Sequence, residues 1–299
     1  MIAHVLRAIF AVLVGAGVVA AAVAQGGVAQ GGRTGDQKRG VLAKDWCQSS
    51  LTVMCQPLEE DTTATRVNVA PSGSNYNLTP NGSISRDGTL FVEGSYSNVF
   101  PAAPMRYLSC TDATCSNLDF SGAFSAGAAF RSTLLGQSHV IMGKWNNSDG
   151  TGWALVVGMT TLGKVQSFIG NTTDQHSTVL ASGRWYELGM SFSGSVVKTY
   201  VDGSGTSGTS ATITTNSLDF EAGDDGRTGT GLAANLDILW AASVNMSAAG
   251  QCRVASCGYR NQYGCLCDAG NTASFLFKGR NADAGGCTLP GDCYADDPA

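Results

Sequence analysis

The sequence predicts an all-β chain: an antiparallel β-sandwich followed by a small Cys-rich C-terminal tail. Three observations carry this. Tyr186, Leu188, Met190 and Phe192 alternate along an extended chain and so share one face. Ser193-Gly194-Ser195 then turns the chain, and Val197, Thr199 and Val201 share a face of the returning strand, which ends at the turn signal Asp202-Gly203. Short apolar runs separated by polar turns recur along most of the sequence, and no stretch of comparable length has a helical period with caps.

Taken in order, residues 1–24 read as an export signal. Arg7 stands before an apolar run from Ala8 to Ala24, and Ala22-Val23-Ala24 supplies a small-x-small cleavage site. With that segment removed no membrane span is expected. Residues 25–65 read as a linker, in which Ala24-Gln25-Gly26-Gly27 recurs as Ala29-Gln30-Gly31-Gly32, followed by a short segment holding Trp46, Cys47 and Cys55. Cys47 and Cys55 could close a local loop.

The β-rich body is placed at residues 66–249. Strands are expected at Thr89–Gly94, Phe120–Ser132, Val140–Trp145, Trp153–Met159 and Lys164–Ile169, ahead of the hairpin. The closing strand runs from Leu236 to Met246. Leu236, Ile238, Trp240, Ala242, Val244 and Met246 take every second place and are expected to form one core face. Residues 250–299 hold Cys252, Cys257, Cys265, Cys267, Cys287 and Cys293 among Gly, Asn and Asp, a disulfide-rich segment whose pairing the spacing leaves open. Cys110 and Cys115 flank one tight polar loop and are expected to pair.

Composition narrows the function. Without Arg7, Lys+Arg falls from 18 to 17 against Asp+Glu 23, so the exported chain carries a net charge of −6. An acidic chain without a basic patch argues against nucleic acid as a partner. Ten Cys, an even number, fit an oxidising compartment outside the cell. Cys265-Leu266-Cys267 lacks zinc-ligand spacing and has no His beside it, so disulfides are preferred there. Of the three His, His4 leaves with the signal, and neither His139 nor His176 stands in a protease signature.

Several segments between Ser83 and Ala249 also resemble, in order and spacing, the laminin G-like domains of the concanavalin A-like jelly-roll superfamily, in the form found in secreted bacterial proteins. They are Leu90-Phe91-Val92-Glu93-Gly94, Lys144-Trp145, Gly183-Arg184-Trp185-Tyr186, Tyr200-Val201-Asp202-Gly203, Leu236-Asp237 and Met246-Ser247-Ala248-Ala249. One departure stands after the Trp-Tyr pair, where the family often has His and this chain has Glu187.

The resemblance raises glycan hydrolysis, because related glucanases carry Glu-x-Asp-x-x-Glu on a strand whose register is reset by a bulge. Here Asn235 and Trp240 occupy the two Glu positions. An amide forms no glycosyl ester and an indole donates no proton to a leaving group, so a catalytic role is not expected. The resemblance also implies a structural calcium at Asp237, with Asp224 and Asp225 in the neighbouring loop. The alternative is a solvated acidic turn, and no cofactor is required. For sugar binding, the best local candidate is the loop holding Trp145, Asn146, Asn147, Asp149 and Trp153, where rings and amides adjoin. The alternative is that both indoles are core. The expectation is a secreted, non-catalytic protein that binds carbohydrate or an extracellular glycoprotein. A structural or adhesive surface component is the alternative, and a divergent glycan hydrolase a third.

Overall fold

The computed structural model describes residues 52–90, 96–102, 106–146, 148–223 and 232–245. The strands in chain order are β1 (Thr52–Gln56), β2 (Thr79–Asn81), β3 (Ser85–Asp87), β4 (Ser97–Phe100), β5 (Tyr107–Cys110), β6 (Phe124–Arg131), β7 (His139–Asn146) and β8 (Thr151–Val157). They continue with β9 (Lys164–Ile169), β10 (Thr172–Val179), β11 (Trp185–Phe192), β12 (Val196–Val201), β13 (Ser204–Gly205), β14 (Thr209–Ser210), β15 (Phe220–Ala222) and β16 (Ala234–Ala242). Only two short 3-10 turns, Gly73–Tyr76 and Ser116–Leu118, interrupt them among the described residues.

The strands form two antiparallel sheets. The nine-stranded sheet runs β13-β12-β11-β6-β16-β4-β3, with β1 also on β16 and β14 also on β12. The seven-stranded sheet runs β10-β9-β8-β7-β15-β5-β2. Between them lies one apolar core that takes in Phe124, Phe130, Trp153, Leu155, Ile169, Tyr186, Leu188, Met190 and Phe192. Each such side chain, fully buried, contributes about 1.5–3 kcal/mol of transfer free energy.

The β11–β12 hairpin has the expected face, since Tyr186, Leu188, Met190 and Phe192 all enter this core with Val197 and Val201. The turn that follows it, from β12 to β13, is a two-residue loop in which both Asp202 (φ 49°) and Gly203 (φ 75°) are left-handed, the conformation that matches strand twist in a tight hairpin. At the open edges Asp174 ties the sheets together. Its carboxylate accepts from the Thr199 amide (2.8 Å) and from the hydroxyls of Thr206 (2.6 Å) and Thr209 (2.8 Å). At another end, buried Lys144 pairs with Asp112 (2.5 Å), on the loop closed by the Cys110–Cys115 disulfide, and with Asp119 (2.7 Å), just after the Ser116–Leu118 turn.

Three expectations change. The sandwich starts before residue 66, because Thr52–Gln56 pairs with β16. Leu90 lies in a bend rather than a strand, and the rest of the expected strand to Gly94 is outside the described residues. The closing strand is not one straight alternation. A bulge at Ile238 (φ 47°) resets the register between Asp237 and Leu239. Leu236, Leu239 and Ala241 therefore enter the core, while Asp237 and Trp240 turn to the outer face. Residues 1–51, with the signal, the linker and Cys47, and the tail with its six cysteines lie outside the described residues. No described helix is long and apolar enough to cross a membrane.

Candidate ligand-binding face

The bulge in β16 composes the outer face of the nine-stranded sheet. Pairing in register places residues of β11, β6 and β16 in cross-strand rows. One row is Glu187, Ala129 and Asp237. The row on one side is Trp185, Arg131 and Asn235, and the row on the other is Gly189, Gly127 and Trp240. Strands lie about 4.8 Å apart, so the backbones of Glu187 and Asp237 are separated by about 10 Å across a floor of small residues. The floor has no room to spare. A Cβ on Gly127 would fall 2.5 Å from the Trp240 ring and 2.7 Å from the Leu188 carbonyl. Tyr200, opposite Gly189, completes the aromatic rim and shares a hydrogen bond with Ser191 (3.1 Å).

Glu187 is the unusual group here. It is 0% exposed, and neither carboxyl oxygen has a hydrogen-bond partner. Two places before it on the same face, the Trp185 indole N–H also has none. A buried polar group without a partner is rare in a folded protein and calls for a reason. Burial first, and the nearby Asp202 second, push the Glu187 carboxyl well above the usual range, and the Gly203 backbone N–H offsets this in part.

Asp202 is held by a reciprocal pair of bonds. The Glu187 amide donates to its carboxylate (3.0 Å), and the Asp202 amide donates to the Glu187 carbonyl (2.9 Å). Burial pushes Asp202 up to about 7, although that amide and the Arg184 guanidinium (3.1 Å) pull the other way. This corner therefore holds two carboxyl groups whose neutral forms are favoured by burial relative to exposed carboxyl groups. A neutral carboxyl can both donate and accept, which suits a ligand rich in hydroxyls.

The glucanase-like positions fall on this face together, because the bulge turns Asn235, Asp237 and Trp240 the same way. Asn235 uses its amide within the protein, donating to Ser97 (2.9 Å) and Asp87 (3.4 Å). Asp237 is fully buried. No group of three or more His, Cys, Asp or Glu that could hold a metal occurs among the described residues, and Asp224 and Asp225 lie outside them.

The Trp145–Trp153 loop does not form an aromatic platform. Trp153 is in the main core, with its indole N–H donating to the Leu118 carbonyl (2.9 Å). Trp145 is on the opposite face of its sheet, yet only 2% exposed. It packs on Phe168 with Val140, Ala154 and Val156, and its N–H donates to the Gly170 carbonyl (2.9 Å). Neither ring offers a face to a sugar. Asn146 and Asp149 bond to each other (2.8 Å), and Asp149 also holds Thr151 (2.7 Å), so these groups shape the turn. Asn147 lies outside the described residues. Cys110 and Cys115 pair as expected, and Cys55 is also disulfide-bonded.

Reading along the sequence alone missed the Glu187 row. Its one signal was the family departure at Glu187, inside a strand that otherwise alternates cleanly.

No protein-family model matches the chain, and no curated protein matches it. Among solved structures it is similar to the binding domain of botulinum neurotoxin DC in complex with rat synaptotagmin II. The two share 9% identity at a TM-score of 0.50, over 68% of this chain and 51% of that one. It is also similar to a botulinum neurotoxin serotype D binding domain, at 11% identity and a TM-score of 0.49, over 71% of this chain and 52% of that one. The chain spans about half the length of these structures. The likeness at a TM-score of 0.50 is one of fold, and it agrees with the two-sheet sandwich.

Proposed function

We propose that the chain is an exported, non-catalytic binding protein of laminin G-like type, which recognises carbohydrate, free or on an extracellular glycoprotein. The observation that carries this is Glu187, a buried carboxyl without a partner, on one face with Trp185, Trp240, Tyr200 and Asp237. A carboxyl and an indole N–H on one face, at Glu187 and Trp185, without hydrogen-bond partners in the protein, are groups that fix sugar hydroxyls. A glycan array probed with the full chain tests the reading. Binding of a defined glycan is expected, with at least tenfold loss in the near-isosteric Glu187→Gln at an unchanged melting temperature. No binding by well-folded protein would favour the structural, adhesive reading instead.

A hydrolase is the second reading, and one observation favours it. Glu187 and Asp237 place two carboxyl residues in one cross-strand row with backbones about 10 Å apart, and inverting glycosidases use a pair of carboxyl groups about 6.5–9.5 Å apart. Release of reducing sugar, abolished by Asp237→Asn, would establish it over the binding reading.

A further inference from the structure

Lys144 is a primary amine inside the sandwich, far from anything the binding reading uses. It is 1% exposed. Its cross-strand partner on β8 is Trp153, a core residue, so both side chains point to the inner face. There the Trp153 ring is flanked by Phe124 (5.3 Å between ring centres), Phe120 (5.8 Å) and Phe220 (6.2 Å). Burying an ammonium beside such rings is costly unless carboxylates meet it. Two do: Asp112 Oδ1 lies 2.5 Å from Nζ and Asp119 Oδ1 2.7 Å.

One ammonium neutralises only one carboxylate. Burial raises the Asp119 carboxyl, and Asp112, which hydrogen-bonds to it, raises it further against the pull of Lys144. Amine, carboxylate and a carboxyl whose acid form is favoured over that of an exposed group therefore meet at one point.

The meeting is held rigidly. Asp112 lies in the loop closed by the Cys110–Cys115 disulfide, and its N–H donates to the Asp219 carboxylate (2.9 Å). The Asp119 N–H donates to the Ser116 carbonyl (3.0 Å), and the preceding Leu118 carbonyl accepts from the Trp153 indole (2.9 Å). With a carbon–oxygen bond of about 1.2 Å, Asp112 Cγ is no farther than about 3.7 Å from Nζ, close to the roughly 3–3.5 Å of a near-attack pair. Groups fixed in this way react with effective molarities of about 10⁵–10⁸ M.

We infer that Lys144 and Asp112 condense to an intramolecular amide, with Asp119 as the proton carrier. The ammonium first passes a proton to the Asp112 carboxylate. The neutral amine then attacks Asp112 Cγ. Asp119 gives its proton to the departing hydroxyl and takes one from the nitrogen, so it ends as it began. An N–Cγ bond forms, a Cγ–O bond breaks and one water leaves. The Asp112 and Asp119 side chains are 32% and 23% exposed, which gives that water a way out. The product ties the loop after β5 to β7 by a link that, unlike the adjacent disulfide, survives reduction.

Tryptic peptide mapping of the full chain, unfolded and reduced, tests this. A free Lys144 is cut and releases Ser132–Lys144, whereas an acylated one is not. The expected product is residues 107–131 joined to residues 132–164, lighter by one water than the two peptides together, with fragmentation placing the link at Asp112. Free Ser132–Lys144 as the main product of the unaltered chain would overturn the inference and leave the site a permanent ion pair. Asp119→Ala keeps the Lys144–Asp112 contact and should release Ser132–Lys144 in full, with a lower melting temperature. A link that forms completely in that variant would refute the role given to Asp119. The unaltered chain decides the bond itself, whether or not the variant folds.

Discussion

The Asp202 carboxyl makes a quantitative prediction about stability and pH. Its pKa rises from 3.8 to about 7 in the fold. The sign follows from linkage: the folded protein holds this proton more tightly than the unfolded chain does. The contribution is therefore fully present below about pH 4 and is lost as pH climbs through 7. About three pH units at roughly 1.4 kcal/mol each give about 4 kcal/mol in total. Glu187, whose pKa is also raised, acts in the same direction. The perturbation is Asp202→Asn. Asparagine tolerates the left-handed backbone at this position and still accepts the Glu187 amide bond, so geometry is retained while the titration is removed. The assay is urea unfolding with disulfides intact, for both proteins, between about pH 4.5 and pH 8. The stability of the natural chain relative to the variant should fall by about 3 kcal/mol across that window. Parallel pH profiles, or a natural chain that gains on the variant as pH rises, would show that Asp202 titrates normally and that this corner is wet.

Three further outcomes follow from the packing. Trp240→Ala should cost about 3–5 kcal/mol in chemical denaturation, and a change near zero would mean the outer face is not buried. Gly127→Ala, which drives a methyl into the Trp240 ring and the Leu188 carbonyl, should cost about 1–3 kcal/mol by the same measurement. Trp145→Ala should lower the melting temperature, with any loss of glycan binding tracking unfolding, because its ring is packed on Phe168; selective loss of binding in a folded variant would restore it as a platform.

The sandwich was legible wherever a strand alternates without interruption. Tyr186 to Phe192 announces its inward face, and the Asp202-Gly203 turn follows from the left-handed preference of those residues. Closing strand β16 was misread because a bulge leaves no compositional trace. Leu236, Ile238 and Trp240 look like one face until Ile238 takes a positive φ, which a β-branched residue seldom does. That single backbone event moves Trp240 outward and lines it up with Asp237 and Asn235. The Trp145–Trp153 pair misled for another reason. Each indole N–H is satisfied by a carbonyl distant in sequence, Gly170 or Leu118, and local composition carries no sign of such partners. Glu187 was visible as an oddity, but its meaning depends on Ala129 and Asp237, which pairing brings beside it from two other strands.

The pairing of β1 with β16 bears on how the molecule is made. Thr52 sits opposite Ala242, so the nine-stranded sheet joins the first and last strands of the described chain, and β6 can gain its second neighbour only once β16 exists. Closing so long a loop is entropically slow and brings no reward until the end. A ribosome-bound fragment lacking β16 would leave β6 and β1 with bare edges, open to pairing with other chains. The architecture therefore favours folding after the whole chain has been synthesised, and it makes late truncation far more damaging than the small mass removed would suggest.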